Sequence, residues 1–194
     1  MNNHKSSDNN KILIHACCAD CLSKILIDSQ IEQMDKVVYF YNPNIHPRSE
    51  YLARLSAIQA VCKEKDIKIV ILDWSPKQYF NALKKANNAD SDISKNRCVS
   101  CWRLRLGMSI DYAFHNNFDY FTSTLLTSNY MDHESIIDIS KELIETKSDQ
   151  HLKLIIPSEE CCDVKTGGFY KQNYCGCVYS LIEKYHEKFL TIED

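Results

Sequence analysis

Glycine is scarce in this chain, four in 194 residues, and no G-x-G-x-x-G occurs, so the nicotinamide-binding fingerprint is excluded. Positive charge is not in excess either: 23 Lys and Arg face 26 Asp and Glu, a formal net charge of -3. Domains that bind nucleic acid broadly run basic, so any RNA contact here has to be local. No run approaches the ~18 apolar residues of a membrane span. Residues 1–10 are polar, lack the apolar core of a secretion signal, and read as a disordered lead-in. The expected address is cytoplasmic, where thiols stay reduced. There is no internal repeat and no low-complexity tract.

Sulfur is what the chain has in plenty. Seven of its ten cysteines fall in three tight groups: Cys17, Cys18 and Cys21; Cys98 and Cys101; Cys175 and Cys177. In a reducing compartment such grouping argues for metal ligands or catalysis over disulfides. A four-iron cluster, like a structural zinc, takes about four thiolates, so seven leave roughly three for a second ion or for reaction. Iron-sulfur chemistry therefore stands ahead of zinc. A zinc held by two pairs, or a redox dithiol at Cys98 and Cys101 alone, stays open, although each leaves grouped thiols unexplained. Cys62, on the apolar face of a helix, reads as inert core. Cys161 and Cys162, adjacent in a loop, read as bystanders.

With 44% hydrophobic residues, the chain is long enough for one substantial core, and 11–190 is expected as a single α/β metal-binding domain. Strands are expected at 11–15, 36–41, 67–72, 119–124 and 152–156. Helices are expected at 22–34, 48–65, 76–86, 101–114, 133–146 and 178–189, with a polar loop over 87–96. Near-continuously apolar strands alternating with helices predict a doubly wound, mostly parallel, Rossmann-like sheet. Sites in such sheets form at the carboxyl ends of the strands, where the winding reverses. Cys17 follows the first strand, Asn42 to His46 the second, Asp73 the third and Leu125 to Thr127 the fourth. Cys17, Cys18 and Cys21 fall at the start of one helix, and Cys98 and Cys101 at the opening of another, beside Arg97, Arg103 and Arg105; both settings favour thiolate. His15 reads as a hydrogen-bonded structural histidine. His46 is the better candidate for touching substrate, with a loop-shaping role as its alternative.

Five motifs in order resemble the QueH family of epoxyqueuosine reductases. They are His15-x-Cys17-Cys18-x-x-Cys21; Tyr41-Asn42-Pro43-Asn44-Ile45-His46-Pro47; Arg97-Cys98-x-x-Cys101-Trp102-Arg103-Leu104-Arg105-Leu106; Asp119-Tyr120-Phe121-Thr122; and Tyr170-x-Gln172-x-Tyr174-Cys175-Gly176-Cys177. The resemblance implies reduction of the epoxide of epoxyqueuosine in tRNA to the alkene of queuosine. It implies a fold related to adenine nucleotide α-hydrolases and a site with a four-iron four-sulfur cluster beside a further iron ion, on Cys17, Cys18, Cys21, Cys98, Cys101, Cys175 and Cys177. In that reading iron acts as a Lewis acid on the epoxide oxygen and the cluster relays electrons from another protein. Candidate substrate contacts are Asn42, Asn44, His46 and Gln172, with Arg103, Arg105 and Lys171 at phosphates and Tyr170 and Tyr174 stacking on a splayed base. Against each of these cations and tyrosines stands a solvated or core role.

Two departures mark this chain. Asp20 replaces the family's usual proline, and reads as a helix cap ahead of an oxygen ligand. The stretch 157–168 is short and carries Glu159, Glu160 and Asp163 where the family usually runs longer and basic. Two rival classes remain: an ATP-using tRNA-modifying enzyme, which needs a glycine- and serine-rich phosphate loop where Cys17 and Cys18 stand, and a zinc-stabilised RNA-binding module without catalysis.

Overall fold

Strands covered on both faces read as unbroken apolar runs, and that is how this chain lays down its sheet. The computed structural model describes residues 10–86, 93–147, 151–164, 168–170 and 172–190. Its strands are β1 (Lys11–His15), β2 (Asp35–Phe40), β3 (Lys68–Ile71), β4 (Tyr120–Ser123) and β5 (Lys153–Leu154). Its helices are α1 (Ala19–Leu26), α2 (Arg48–Glu64), α3 (Pro76–Ala86), α4 (Ile93–His115), α5 (His133–Glu145), α6 (Glu159–Asp163) and α7 (Val178–Leu190), with a 3-10 turn at Thr124–Thr127. Nearly all of the expected lead-in, most of the expected polar loop and Lys171 lie outside the described residues.

Every strand pairing is parallel, in the order β3-β2-β1-β4-β5. The expected α/β, doubly wound, Rossmann-like architecture is what forms. Alternate side chains of the strands feed two cores. On one face Leu13, Val37, Tyr39 and Phe121 pack with Leu106 and Ile110 of α4 and Ile136 and Ile139 of α5. On the other, Ile12, Ile14, Val38 and Phe40 pack with Leu22 and Ile25 of α1 and Ile58 and Val61 of α2. The chain winds outward from β1 to β3, then returns to β4 on the far side of β1. The crevice therefore opens beyond His15 and Ser123, which are register partners at the ends of β1 and β4.

Four local expectations are corrected. Cys161 and Cys162 lie in the short helix α6 and not in a loop. Helix α1 stops at Leu26 and not near 34, because Oδ1 of Asp28 accepts the Gln30 N–H at 2.9 Å and turns the chain. Helix α4 begins at Ile93, so Cys98 and Cys101 lie inside it, away from the positive end that was expected to favour their thiolates. Asp20 is not a cap: Cys18 holds the N-cap position of α1, and Asp20 is buried within the first turn.

Candidate metal and substrate site

His15 fixes the crevice at the switch point. Its Nε2 donates to the Tyr41 carbonyl at 3.3 Å, since a carbonyl can only accept, and its Nδ1 accepts from the Ser123 hydroxyl at 2.8 Å. Ser123 Oγ in turn accepts the Leu125 N–H at 3.2 Å and caps the 3-10 turn. Burial, reinforced by the Arg105 charge, pushes the imidazole down to about 3. The ring stays neutral and ties three strand ends together, as expected of a structural histidine.

The first thiol group stands against the 3-10 turn. Thr124 Oγ1 accepts the Cys17 N–H at 3.0 Å and lies 3.3 Å from Cys17 Sγ. Cys18 and Cys21 form a hydrogen-bonded pair. The Cys21 thiol lowers Cys18, overcoming burial with help from the Arg54 charge, while the proton retained between them raises Cys21. The same division holds at the third group, where the bond from Cys177 lowers Cys175 and raises Cys177. Each pair thus offers one ready thiolate. The second group differs: burial raises Cys98, and pushes Cys101 up to about 12 even with Arg105 beside it.

Arg105 joins the groups. Its guanidinium is 1% exposed, hydrogen-bonds to both Cys17 and Cys101, and donates to Oδ1 of Asn42 at 2.8 Å. Asn42 is itself held by the Ala16 carbonyl, to which its Nδ2 donates at 2.8 Å. Cys98, Cys101, Cys175 and Cys177 line one cavity of about 650 Å³, together with Asn44 and Arg105. Asn44 is buried, yet neither its Nδ2 nor its Oδ1 has a hydrogen-bond partner among the described residues; His46 Nε2 and Arg105 Nε share that state. A buried carboxamide without partners is costly to keep unless something binds it.

An all-sulfur donor set beside buried cations suits iron-sulfur ligation. Among the described residues no three His, Cys, Asp or Glu side chains stand as a ready-made metal site. The thiols of the second and third groups line the cavity with Arg105, a donor set of the chemistry that the implied group needs, whereas Cys17, Cys18 and Cys21 do not line it.

Residues 12–183 match the family model described as epoxyqueuosine reductase QueH. The chain belongs to the QueH family. It is 32% identical to the epoxyqueuosine reductase QueH of Histophilus somni over 178 residues, 89% of this chain and 72% of that protein. The corresponding protein of Acinetobacter baylyi is 31% identical over 91% of this chain and 84% of its own length, and that of Dehalococcoides mccartyi 30% over 90% and 94%. The QueH chain is accordingly an enzyme of the oxidoreductase class. Among its described residues no helix is long and apolar enough to cross a membrane.

Not every candidate residue of this QueH chain reaches the cavity. Arg103 forms a two-point ion pair with Glu142 at 2.6 and 2.7 Å on the outer surface, Asp73 is exposed, and Gln172 donates to the Tyr170 hydroxyl at 2.9 Å. Tyr174 is buried, its hydroxyl 3.4 Å from the His46 carbonyl, so a strut replaces the expected stacking platform. Arg105, expected at a phosphate, is buried among the thiols. Cys62 is the core residue expected, pushed up to about 11 by burial. Sequence reasoning missed Arg54, whose only signal is its i, i+4 spacing from Glu50 on an otherwise half-apolar helix.

Proposed function

We propose that this enzyme reduces the epoxide of epoxyqueuosine in tRNA to the alkene of queuosine, with its seven grouped thiols holding a four-iron four-sulfur cluster and a neighbouring iron ion. Support comes first from the four thiols that share one cavity, with Arg105 reaching from Cys101 across to Cys17. Four thiolates would hold the cluster and the remaining three the ion. When bound, the iron centre supplies two electrons, one at a time, and a Lewis acid for the epoxide oxygen. The overall change consumes two electrons and two protons and releases the oxygen as water. In the same reading the electrons come from a partner protein.

The chain's own residues bind and orient. Asn44 offers the cavity a donor group and an acceptor that no group among the described residues uses, the complement of a hydroxyl or of a base edge. Arg105 balances thiolate charge beside the reacting group. The buried ring of Trp102 and Tyr79 wall the cavity and limit water, which strengthens every charge interaction within it.

Anaerobic purification followed by iron, sulfide and zinc analysis tests the reading. Iron with sulfide is expected, and a colourless protein with stoichiometric zinc would overturn it. Nucleosides from tRNA of a deletion strain that carries no other epoxyqueuosine reductase should contain epoxyqueuosine in place of queuosine; queuosine persisting there would remove the substrate assignment.

A further inference from the structure

A buried ion pair outside the thiol groups holds the loop that carries two of them. Glu50 and Arg54 lie one turn apart on α2, each 6% exposed, with Arg54 Nε donating to Glu50 Oε1 at 2.6 Å. The other two guanidinium nitrogens face the C-terminal loop: Nη2 donates to the Tyr174 carbonyl at 3.1 Å and Nη1 to the Cys175 carbonyl at 3.3 Å. The Tyr174 ring lies against the same guanidinium, with Cζ 5.5 Å from its centroid. Glu50 is engaged on its second oxygen too, accepting from the Tyr170 hydroxyl.

A buried ion pair seldom adds net stability over an apolar replacement, because desolvation offsets the attraction. What it gives is a fixed geometry. Gly176 has φ +107°, and a Cβ there would stand 3.2 Å from Arg54 Cζ and 3.2 Å from Ile45 Cγ1, so only glycine lets the loop settle on the guanidinium. The Gly176 carbonyl then accepts the His46 N–H at 2.9 Å. Arg54 consequently fixes the Cys175–Cys177 loop, the loop of Asn44 and His46 and, through its charge, the neighbourhood of Cys17 and Cys18.

We propose that Arg54, braced by Glu50 and Tyr170, is a positioning residue that fixes the backbone of the Cys175–Cys177 loop and so aims both thiols into the cavity. It rests on the reading of these thiols as ligands for its purpose, though not for its geometry. A lysine cannot replace it: one ammonium cannot span a carboxylate and two carbonyls held in a planar fork.

The test is alkylation of the reduced, metal-free protein by iodoacetamide, with the rate at each cysteine read by peptide mass spectrometry. In Arg54→Met, Cys175 and Cys177 should react at least about tenfold faster than in the parent, the change expected when hydrogen bonds from a charged group that hold a loop closed are lost. Cys62 and Cys98 should keep their parent rates. Arg54→Lys should stay well above the parent, and Tyr170→Phe, which leaves the ion pair in place, should show a smaller rise at the same two cysteines. Unchanged rates at Cys175 and Cys177 would overturn the proposal, and so would a uniform rise at every cysteine, which marks general loosening. After reconstitution with iron and sulfide, Arg54→Met should show an altered visible and electron paramagnetic resonance spectrum, partly restored in Arg54→Lys; a parent spectrum in Arg54→Met would count against it. Should no variant nor the parent take up iron, the metal reading fails while the alkylation result still decides the role of Arg54.

Discussion

Arg105 is the buried charge on which two of the thiol groups converge. It is a full positive charge at 1% exposure, acceptable only because Cys17, Cys101 and Asn42 surround it. Arg105→Met leaves Asn42 Oδ1 unpaired and removes the cation shared by two thiol groups. Urea unfolding of the metal-free protein should show a loss of about 3–5 kcal/mol, the usual cost of breaking a buried charged contact by removing one partner. Arg105→Lys should lose less, since it keeps the charge and forfeits the fork. Asn44 behaves in the opposite sense. Because its carboxamide has no partner to lose among the described residues, Asn44→Ala should leave stability within about 1 kcal/mol of the parent while turnover of the tRNA substrate falls by tenfold or more, the signature of a group kept for binding at some cost to the fold. Equal losses in both measurements would make Asn44 structural.

At the scale of elements, Asp28 explains why one helix is shorter than its apolar pattern. The spacing of Leu22, Ile25, Leu26 and Ile31 continues past Leu26 because Ile31 is buried through a turn, and periodicity alone cannot tell a turn from another helical one. The carboxylate closes that turn on Gln30 and also accepts the Ser158 N–H at 2.6 Å, tying the end of α1 to the start of α6. Burial works to raise this carboxyl, but the N–H groups of Ser158 and Gln30, with the side chains of Ser158 and Cys161, outweigh it and hold it below the ordinary carboxylate value. A depressed carboxylate contributes stability above its unfolded pKa, about 4, and the contribution is lost as pH falls through the folded value. Asp28→Asn should therefore melt lower than the parent at pH 6, with the gap narrowing below about pH 4; a gap independent of pH would sink the assignment. The same limits decided what else could be read beforehand. Doubly covered strands and the carboxyl-end crevice were legible as apolar runs broken by motifs. The early start of α4 was not, because its first turn carries polar residues in place of the apolar stripe. Nor was the burial of Arg54 and Arg105, since a cation's partners are carbonyls and sulfurs distant in the chain, and the local pattern records only a charge on a helix.

Across the whole molecule the balance of charge limits how the enzyme can hold a polyanion. The chain is net negative, and its arginines near the site are already engaged. Arg97 pairs with Glu183 at 3.2 Å and Arg103 with Glu142, while Arg54 and Arg105 are buried. The segment before the third thiol group adds the exposed carboxylates Glu159 and Glu160. With these arginines of the described residues already engaged, recognition of tRNA should depend on the modified nucleoside entering the cavity more than on the backbone. Each neutralised phosphate contributes about -0.9 to the slope of log K against log salt on a duplex and somewhat less on a single strand. Binding of substrate tRNA followed by fluorescence anisotropy between about 50 and 200 mM salt should accordingly give a slope shallower than about -3, and tRNA lacking the modified base should bind far more weakly at every salt concentration. A slope near -6, the mark of a broad basic surface, together with equal affinity for unmodified tRNA, would show that phosphates dominate and that the cavity does not select the substrate.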